Sequence, residues 1–394
     1  MKKLTLVINS GSTSIKYALF KDKEKMCWGI ADRIGFQRPF ITINLTENRE
    51  TKIWESFNNH REALSKIFQV LIRQGIIRDL SEVGAVGHRV VHGGSMRRST
   101  KINSKVIKLI RRYSKMAPLH NPANLAGIEA CSKLIPEAEQ VAVFDTAFHS
   151  DIPERARIYP IPIKYYRQGI MRYGFHGISH EYACMRAAQI LRRDIQKMKI
   201  ISCHLGGGSS VSAVLNGRCI DTSMGFTPLE GLMMATRSGD IDPGIILHLL
   251  KKGVKEEQLD EMLNKKSGFL GIMESSSDFR DILAGMRRKN KKAILAFEIF
   301  AYRISKYIGA YAAALNGVDA IVFTGGIGQN SGLLREAVLK NLEFLGVKLD
   351  GAKNLRNEQL VSAKGSRVAV VVVKADEEQM IAEETERVLK KDNF

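Results

Sequence analysis

The chain is poor in the residue types that mark several protein classes. It has 5 cysteines in 394 residues, an odd number with no CxxC spacing. That argues against a disulfide framework and against a zinc knuckle, so Cys27, Cys131, Cys184, Cys203 and Cys219 are expected to be reduced and mostly buried. No apolar run approaches the ~18–20 residues of a membrane span, Val368 to Val373 being typical of the longest. The N-terminal MKKLTLVINSGSTS starts like a secretion signal but breaks at Asn9, Ser10 and Gly11, so a cytoplasmic protein is expected. No Pro/Ser-rich linker or low-complexity tract divides the chain. The GxxxxGKS/T and GxGxxG nucleotide fingerprints are missing, as is HExxH. Acidic residues are the scarce charge: 41 against 60 Lys and Arg, a net +19.

What is present can build a core. At 44% apolar, the chain suits about two domains of ~100–200 residues. An internal repeat supports two halves. Val7 to Leu19 (VINSGSTSIKYAL) and Cys203 to Leu215 (CHLGGGSSVSAVL) each run from an apolar strand through a Gly/Ser turn into an alternating strand, the pattern of a hairpin. Leu64, Ile67, Phe68, Leu71 and Ile72 recur at helical spacing and stop at Gly75, and Asn121-Pro122 reads as a cap with a first-turn proline. A longer helix runs through Phe297, Phe300, Ile304, Ile308 and Leu315 to Gly317. Strand 319–324 then meets a glycine turn at 325–328, a helix spans 332–345, and the valine run precedes a closing helix over 376–390. Strands mixed with helices indicate α/β architecture.

Three glycine-rich turns each follow an apolar strand: Asn9 to Ser14, Leu205 to Ser210, and Gly325 to Gly328. Such turns offer backbone N–H groups to phosphate. Lys16, leaving the first turn, would add a point charge. Seven of the nine histidines fall between His88 and His204. His176 and His180 stand four apart, but Gly174 and Gly177 argue for a loop rather than a zinc-binding helix face, and an imidazolium donor fits better. His88, His92, His149 and His180 read as structural. Arg89 (GHRVVHGG) and Arg237 (TRSGDIDPG) suit carboxylate or phosphate oxygens. Asp145 ends the run 141–144 at a strand tip, where open α/β sheets bind ligands. Glu377 follows another run; either acid suits Mg²⁺, although Asp376-Glu377-Glu378 equally suits a helix N-terminus.

These segments together resemble the acetate kinase (acetokinase) family along essentially the whole chain. The stretches carrying the resemblance are VINSGSTSIKY, GHRVVHGG, APLHNPAN, VFDTAFH, RYGFHGISH, CHLGGGSSV, DTSMGFTPLEGLMMATRSGDIDP, FTGGIGQNS and ADEEQMIA. The resemblance implies a duplicated ribonuclease H-like α/β fold of the actin, Hsp70 and sugar kinase superfamily, with two domains around a central cleft. The expected division is 1–148, with the C-terminal helix about 379–394 packing back on it, and 149–378 for the nucleotide. It implies a cytoplasmic homodimer transferring phosphate between ATP/ADP and acetate/acetyl phosphate with Mg²⁺ or Mn²⁺. Carried over by position, Asn9 and Glu377 become the metal pair, and Asp145, His176 and Arg237 the catalytic groups. Arg89 and His120 join Val91, Leu119, Phe175 and Pro228 as the acyl site. Ser12, Ser14, Lys16, His204, Leu205, Gly206, Gly207, Gly208, Asp278, Phe279, Arg280, Gly326, Ile327, Gly328, Gln329 and Asn330 become the nucleotide site. Gly207, Gln329, Asp376 and Ile178 depart from the common pattern, and the extra acid at Asp376 would bear on metal affinity.

Propionate or butyrate kinase is the nearest alternative, since one methylene discriminates by only ~1–3 kcal/mol. A basic nucleic-acid-binding protein rests on the charge and the run Arg287 to Lys292, without a recognition motif, and no nucleic-acid or membrane partner is expected. A non-enzymatic ATP-switch module has no need of Arg89, His176 and Arg237. The excess charge is also localised: residues 83–220 hold 21 Lys and Arg against 8 Asp and Glu, and Val83 to Ile128 holds no acid. That places the basicity where anionic substrates are expected to meet the chain.

Overall fold

The computed structural model describes residues 4–46, 49–118 and 120–391. The chain divides into two compact units: residues up to Ser150 together with the stretch from Asp376 onwards, and Asp151–Ala375.

The first unit holds eight strands: β1 (Leu4–Ser10), β2 (Ser14–Lys21), β3 (Glu24–Asp32), β4 (Phe40–Thr46), β5 (Arg49–Trp54), β6 (Val83–Val90), β7 (Thr100–Lys101) and β8 (Glu139–Phe144). The second holds β9 (Lys199–Leu205), β10 (Ser209–Leu215), β11 (Arg218–Thr222), β12 (Ala320–Thr324) and β13 (Ala369–Val372). Their sheet orders are β5-β4-β3-β2-β1-β6-β8-β7 and β11-β10-β9-β12-β13. The run β3-β2-β1-β6-β8 repeats as β11-β10-β9-β12-β13 with the same directions: two antiparallel pairings, then two parallel ones. The repeated hairpins of the sequence are β1–β2 and β9–β10. The duplication is therefore one of topology, and β4, β5 and β7 are additions to the first copy.

Period-2 alternation gives each sheet two working faces. In the first unit Leu6, Ile8 and Val86 pack with the helices His60–Arg73 and Asn121–Leu134. Of the five residues that marked the first of those helices, Ile72 alone is exposed. The other face takes the helix Glu377–Lys391 across β1, β6 and β8. Gly87 permits that approach, because a Cβ there would lie 2.3 Å from Thr385 Oγ1. In the second unit Ile201, Cys203, Val211, Ala213, Ile321 and Phe323 face the 25-residue helix Lys291–Leu315, contributing Phe297, Phe300, Ile304 and Ile308. The alternate positions Ser202, His204, Ser210 and Ser212 face away from that core.

Several local expectations change. Asn121 does not cap its helix; His120 holds the cap position without a side-chain bond, and Asn121 lies in the first turn. The supposed turn 325–328 is a short helix, Gly325–Asn330, directly after β12, and the helix beyond it ends at Leu339, continuing as a 3₁₀ stretch to Leu345. The loop expected around His176 is the start of a helix, Gly177–Ile190. All five cysteines are buried free thiols. The run Arg287 to Lys292 is exposed and spans the end of the helix Phe279–Arg287, a three-residue turn and the start of the helix Lys291–Leu315.

Candidate active site

In the first unit the parallel strands β1, β6 and β8 end side by side and bring Asn9, Arg89 and Asp145 to one edge. Asp145 Oδ2 accepts from Arg89 Nη2 at 2.7 Å and Oδ1 from Nε at 3.2 Å. Nη1 of the same guanidinium lies 3.4 Å from Glu377 Oε2, at the start of the C-terminal helix. Two carboxylates around one guanidinium leave negative charge in surplus. Burial, opposed by Arg89 and reinforced by Glu377, raises the Asp145 pKa above the ordinary carboxylate range. Burial works against the Arg89 charge too, but Asp145 and Glu377 overcome it and raise its pKa further.

This cluster suits a hard cation. Its donors are oxygens, its charge is negative, and no group of three or more His, Cys, Asp or Glu able to cage a metal occurs among the described residues. A Mg²⁺ bound by few protein oxygens, with water and phosphate completing the shell, fits that description. Asp376 does not join it: Lys25 Nζ donates to its two oxygens at 2.6 and 2.8 Å, and Oδ1 also accepts from Gln379 N–H.

Lys16 pairs across the hairpin with Asn9 and is exposed, as is Ser12; Ser14 opens β2, with its carbonyl accepting from Gly11 N–H. Val91, buried, is held by Asn124 Oδ1 accepting from its N–H at 3.1 Å, and Asn124 Nδ2 donates to the Ser10 carbonyl at 2.8 Å. Asn121 brackets His92 through its N–H and carbonyl. Asn124 thus ties the end of β1 to the residue after β6, while Asn121 ties His92 to the Ile110 carbonyl. In the sequence Asn121 reads only as a helix cap, and nothing around Asn124 marks its bridging role. His120 is half-buried before the helix, and Leu119 lies outside the described residues.

In the second unit the face of β9 and β10 opposite the core carries a histidine–serine network. His176 Nδ1 and His180 Nε2 lie 2.9 and 2.7 Å from Ser210 Oγ, His180 Nδ1 2.9 Å from Ser202 Oγ, and His204 Nδ1 2.7 Å from Ser179 Oγ. The His176 and His204 rings overlap with centroids 4.3 Å apart. His176 takes a left-handed backbone, φ 59°, ahead of its helix, an uncommon conformation accompanied by the hydrogen bond to Ser210 and the ring contact with His204. Across from it stands Arg237. A Cβ on Gly208 would lie 3.2 Å from the His176 ring and 3.7 Å from Arg237 Nη1, so both side chains converge over a backbone that glycine leaves bare. Arg237 donates to the Pro228 carbonyl at 3.2 Å and forms no ion pair among the described residues. Burial lowers its pKa. Such a guanidinium is a ready anion site.

Beside this cluster a cavity of about 530 Å³ is lined by Gly206, Gly207, Asp278, Phe279, Arg280, Gly326, Ile327 and Asn330, with Phe269, Ser277, Leu283 and Ser331. Eight expected nucleotide positions thus meet in one place. Arg280 and Asp278 pair at its rim. Gly207 has nothing within 4 Å of a built Cβ, so its side faces open space. The other eight are not in the lining: Leu205 and Gly328 are buried behind it, Gly208 lies under His176 and Arg237, His204 belongs to the histidine network, Gln329 Oε1 accepts from Ala375 N–H at 2.8 Å, and Ser12, Ser14 and Lys16 belong to the first unit. Phe175 is buried next to His176, and Pro228 is half-buried.

A duplicated α/β fold with a carboxylate–guanidinium edge, an imidazole–guanidinium pair and a glycine-lined cavity defines a phosphotransferase, built on the ribonuclease H-like fold of the actin, Hsp70 and sugar kinase superfamily. The chain belongs to the acetokinase family, whose model matches residues 4–383. An acetate kinase of Caldanaerobacter subterraneus is 50% identical over 395 residues, 98% of each chain. Among solved structures, Porphyromonas gingivalis acetate kinase is 41% identical with TM-score 0.93, covering 98% of this chain and 100% of its own. A propionate kinase of Francisella tularensis is 37% identical with TM-score 0.92 over the same shares.

Proposed function

We propose that the chain is an acetate kinase, catalysing ATP + acetate = ADP + acetyl phosphate by direct in-line transfer. The observation that carries this reading is the pairing of His176 with an Arg237 that has no carboxylate partner among the described residues, over bare Gly208, beside a glycine-lined cavity. Phosphoryl transfer needs positioning and charge more than covalent chemistry. Arg237 offers a fork for the equatorial oxygens of the moving phosphoryl group, and His176, oriented by Ser210, offers a donor or acceptor nitrogen. The glycine-rich edge of the cavity leaves backbone N–H groups for nucleotide phosphates.

In the first unit Arg89 is the group for the acyl carboxylate, with Asp145 and Glu377 fixing its plane. Asn9 and Glu377 would hold Mg²⁺, which when bound neutralises polyphosphate charge. Beside Arg89, within the same unit, buried Val91 is apolar and suits a methyl group. A homodimer in the cytoplasm completes the proposal.

Propionate is the second reading, favoured by the likeness to the Francisella enzyme. Trapping acyl phosphates as hydroxamates with acetate, propionate and butyrate tests both. A specificity constant highest for acetate supports the first reading, one highest for propionate supports the second, and no acyl phosphate from any of the three refutes both.

A further inference from the structure

Arg335, in the helix Gly332–Leu339, stands first among the large, fully buried side chains of the described residues. Its hydrogen bonds among the described residues all go to neutral oxygens. Nη1 donates to the Gly328 carbonyl at 2.7 Å, Nε to Asn354 Oδ1 at 2.8 Å, and Nη2 to the Asn354 carbonyl at 2.8 Å and Asn357 Oδ1 at 2.7 Å. It forms no ion pair among the described residues. A buried charge normally has a counter-charge, because carbonyl dipoles satisfy the donors without cancelling the charge. Burial brings its pKa down only to about 10, so the group remains a cation at neutral pH.

The place of this cation matters. Gly328 belongs to the Gly325–Asn330 helix, whose Gly326, Ile327 and Asn330 line the 530 Å³ cavity, and Ser331, one turn before Arg335, lines it too. Arg335 therefore stands directly behind the cavity wall, joined to it by the Gly328 hydrogen bond.

We propose that Arg335 supplies an uncompensated positive charge that discriminates phosphorylated nucleotides from uncharged nucleosides in this cavity, without touching them. The proposal rests on the cavity being the nucleotide site. The missing counter-charge is then the nucleotide's polyphosphate: in a medium of effective dielectric about 20, charges ~10 Å apart still change binding on the order of tenfold. Arg335 is thus a specificity-determining and positioning residue, not a catalytic one.

The decisive variant keeps the packing and cancels the charge. Asn357→Asp replaces a neutral acceptor of Nη2 by a carboxylate of the same shape, at an exposed position whose left-handed backbone, φ 53°, aspartate tolerates. ATP, ADP and adenosine binding to the full-length chain would be measured by calorimetry and by competition with a fluorescent ATP analogue, with thermal unfolding alongside. The expected result is a loss of at least about fivefold for ATP, a smaller loss for ADP, no change for adenosine, and an unfolding temperature held or raised. Arg335→Lys, which keeps the charge, should hold the ATP-to-adenosine ratio even if it lowers stability. Equal losses for ATP and adenosine, or unchanged ATP binding in Asn357→Asp, would overturn the proposal. Wild-type chain that bound neither ATP nor adenosine would overturn the nucleotide reading itself and the proposal with it.

Discussion

Replacing Arg237 by alanine separates the charge argument from simple structural damage. The guanidinium donates to one protein oxygen, the Pro228 carbonyl at 3.2 Å, with Met234 Sδ at 3.5 Å as its other neighbour. Removing it strands no partner carboxylate, so the folding cost is about one hydrogen bond, ~1 kcal/mol. For a unit of this size that lowers the unfolding temperature by roughly 2–4 °C. The chemical cost is larger. A preorganised cation aimed at developing charge is worth about 10²–10³ in kcat. Arg237→Ala should therefore lose at least ~100-fold in kcat while KM for ATP moves little, read by coupled ADP release at saturating substrates with calorimetric melting alongside. A kcat within a few-fold of wild type in a folded variant would refute the placement of Arg237 at the transferring group. A collapse in melting temperature would refute the stability side of the reasoning.

Arg89 should behave in the opposite way: Arg89→Met leaves Asp145 buried beside Glu377 without a counter-charge, and chemical denaturation should show a loss of about 3–5 kcal/mol in the first unit. Buried His88 has its pKa lowered to about 4 by desolvation, which its hydrogen bond to Gln140 only partly offsets. The unfolded chain then binds more protons below pH ~6.5, so stability is present above that value and is lost as pH falls towards 4. His88→Gln should flatten the slope of denaturation midpoint against pH between those values. Because the Asp376 carboxylate is held by Lys25, Asp376→Asn should leave the Mg²⁺ activation constant unchanged, whereas Glu377→Gln should raise it; titrating activity against free Mg²⁺ reads both. Val91→Ala enlarges a buried apolar position and should raise kcat/KM for propionate relative to acetate by about tenfold, measured by hydroxamate formation.

Much of this was legible in the residues, because the signals concerned are local. Strand, glycine turn and strand occupy adjacent positions, so the repeat at 7–19 and 203–215 exposed the duplicated hairpins directly. Helical spacing from Leu64 onwards and from Phe297 onwards reflects a face buried along one element. Arg89 and Arg237 stood out because glycine and histidine around a charge make poor core and poor ordinary helix, Asp145 because it ends a strand, and His176 because it belongs to a histidine-rich segment; Asn9 gained its role only from the family resemblance. The missed features depend on partners remote in sequence. Glycine at 174 and 177 suggested a loop around His176, but a helix begins there, with Ser210 and the adjacent His204 ring holding the His176 side chain. Asn121 looked like a cap until the backbone of His92, 29 residues away, claimed its amide. Asp376 looked like an added metal ligand, and Lys25, 351 residues earlier, neutralises it.

The sequence by itself determined the α/β class, the duplication, the basic segment and the residue types of a phosphoryl-transfer site, since periodicity and composition act within a few residues of chain. Tertiary structure alone decided which charges are paired. Among the described residues Arg89 is shared between two carboxylates, Arg237 has none, and Arg335 is buried among neutral oxygens. All three are the same residue type with the same intrinsic pKa. Their difference arises from burial and from partners that only folding brings within a few ångströms, where Coulomb and hydrogen-bond energies become large.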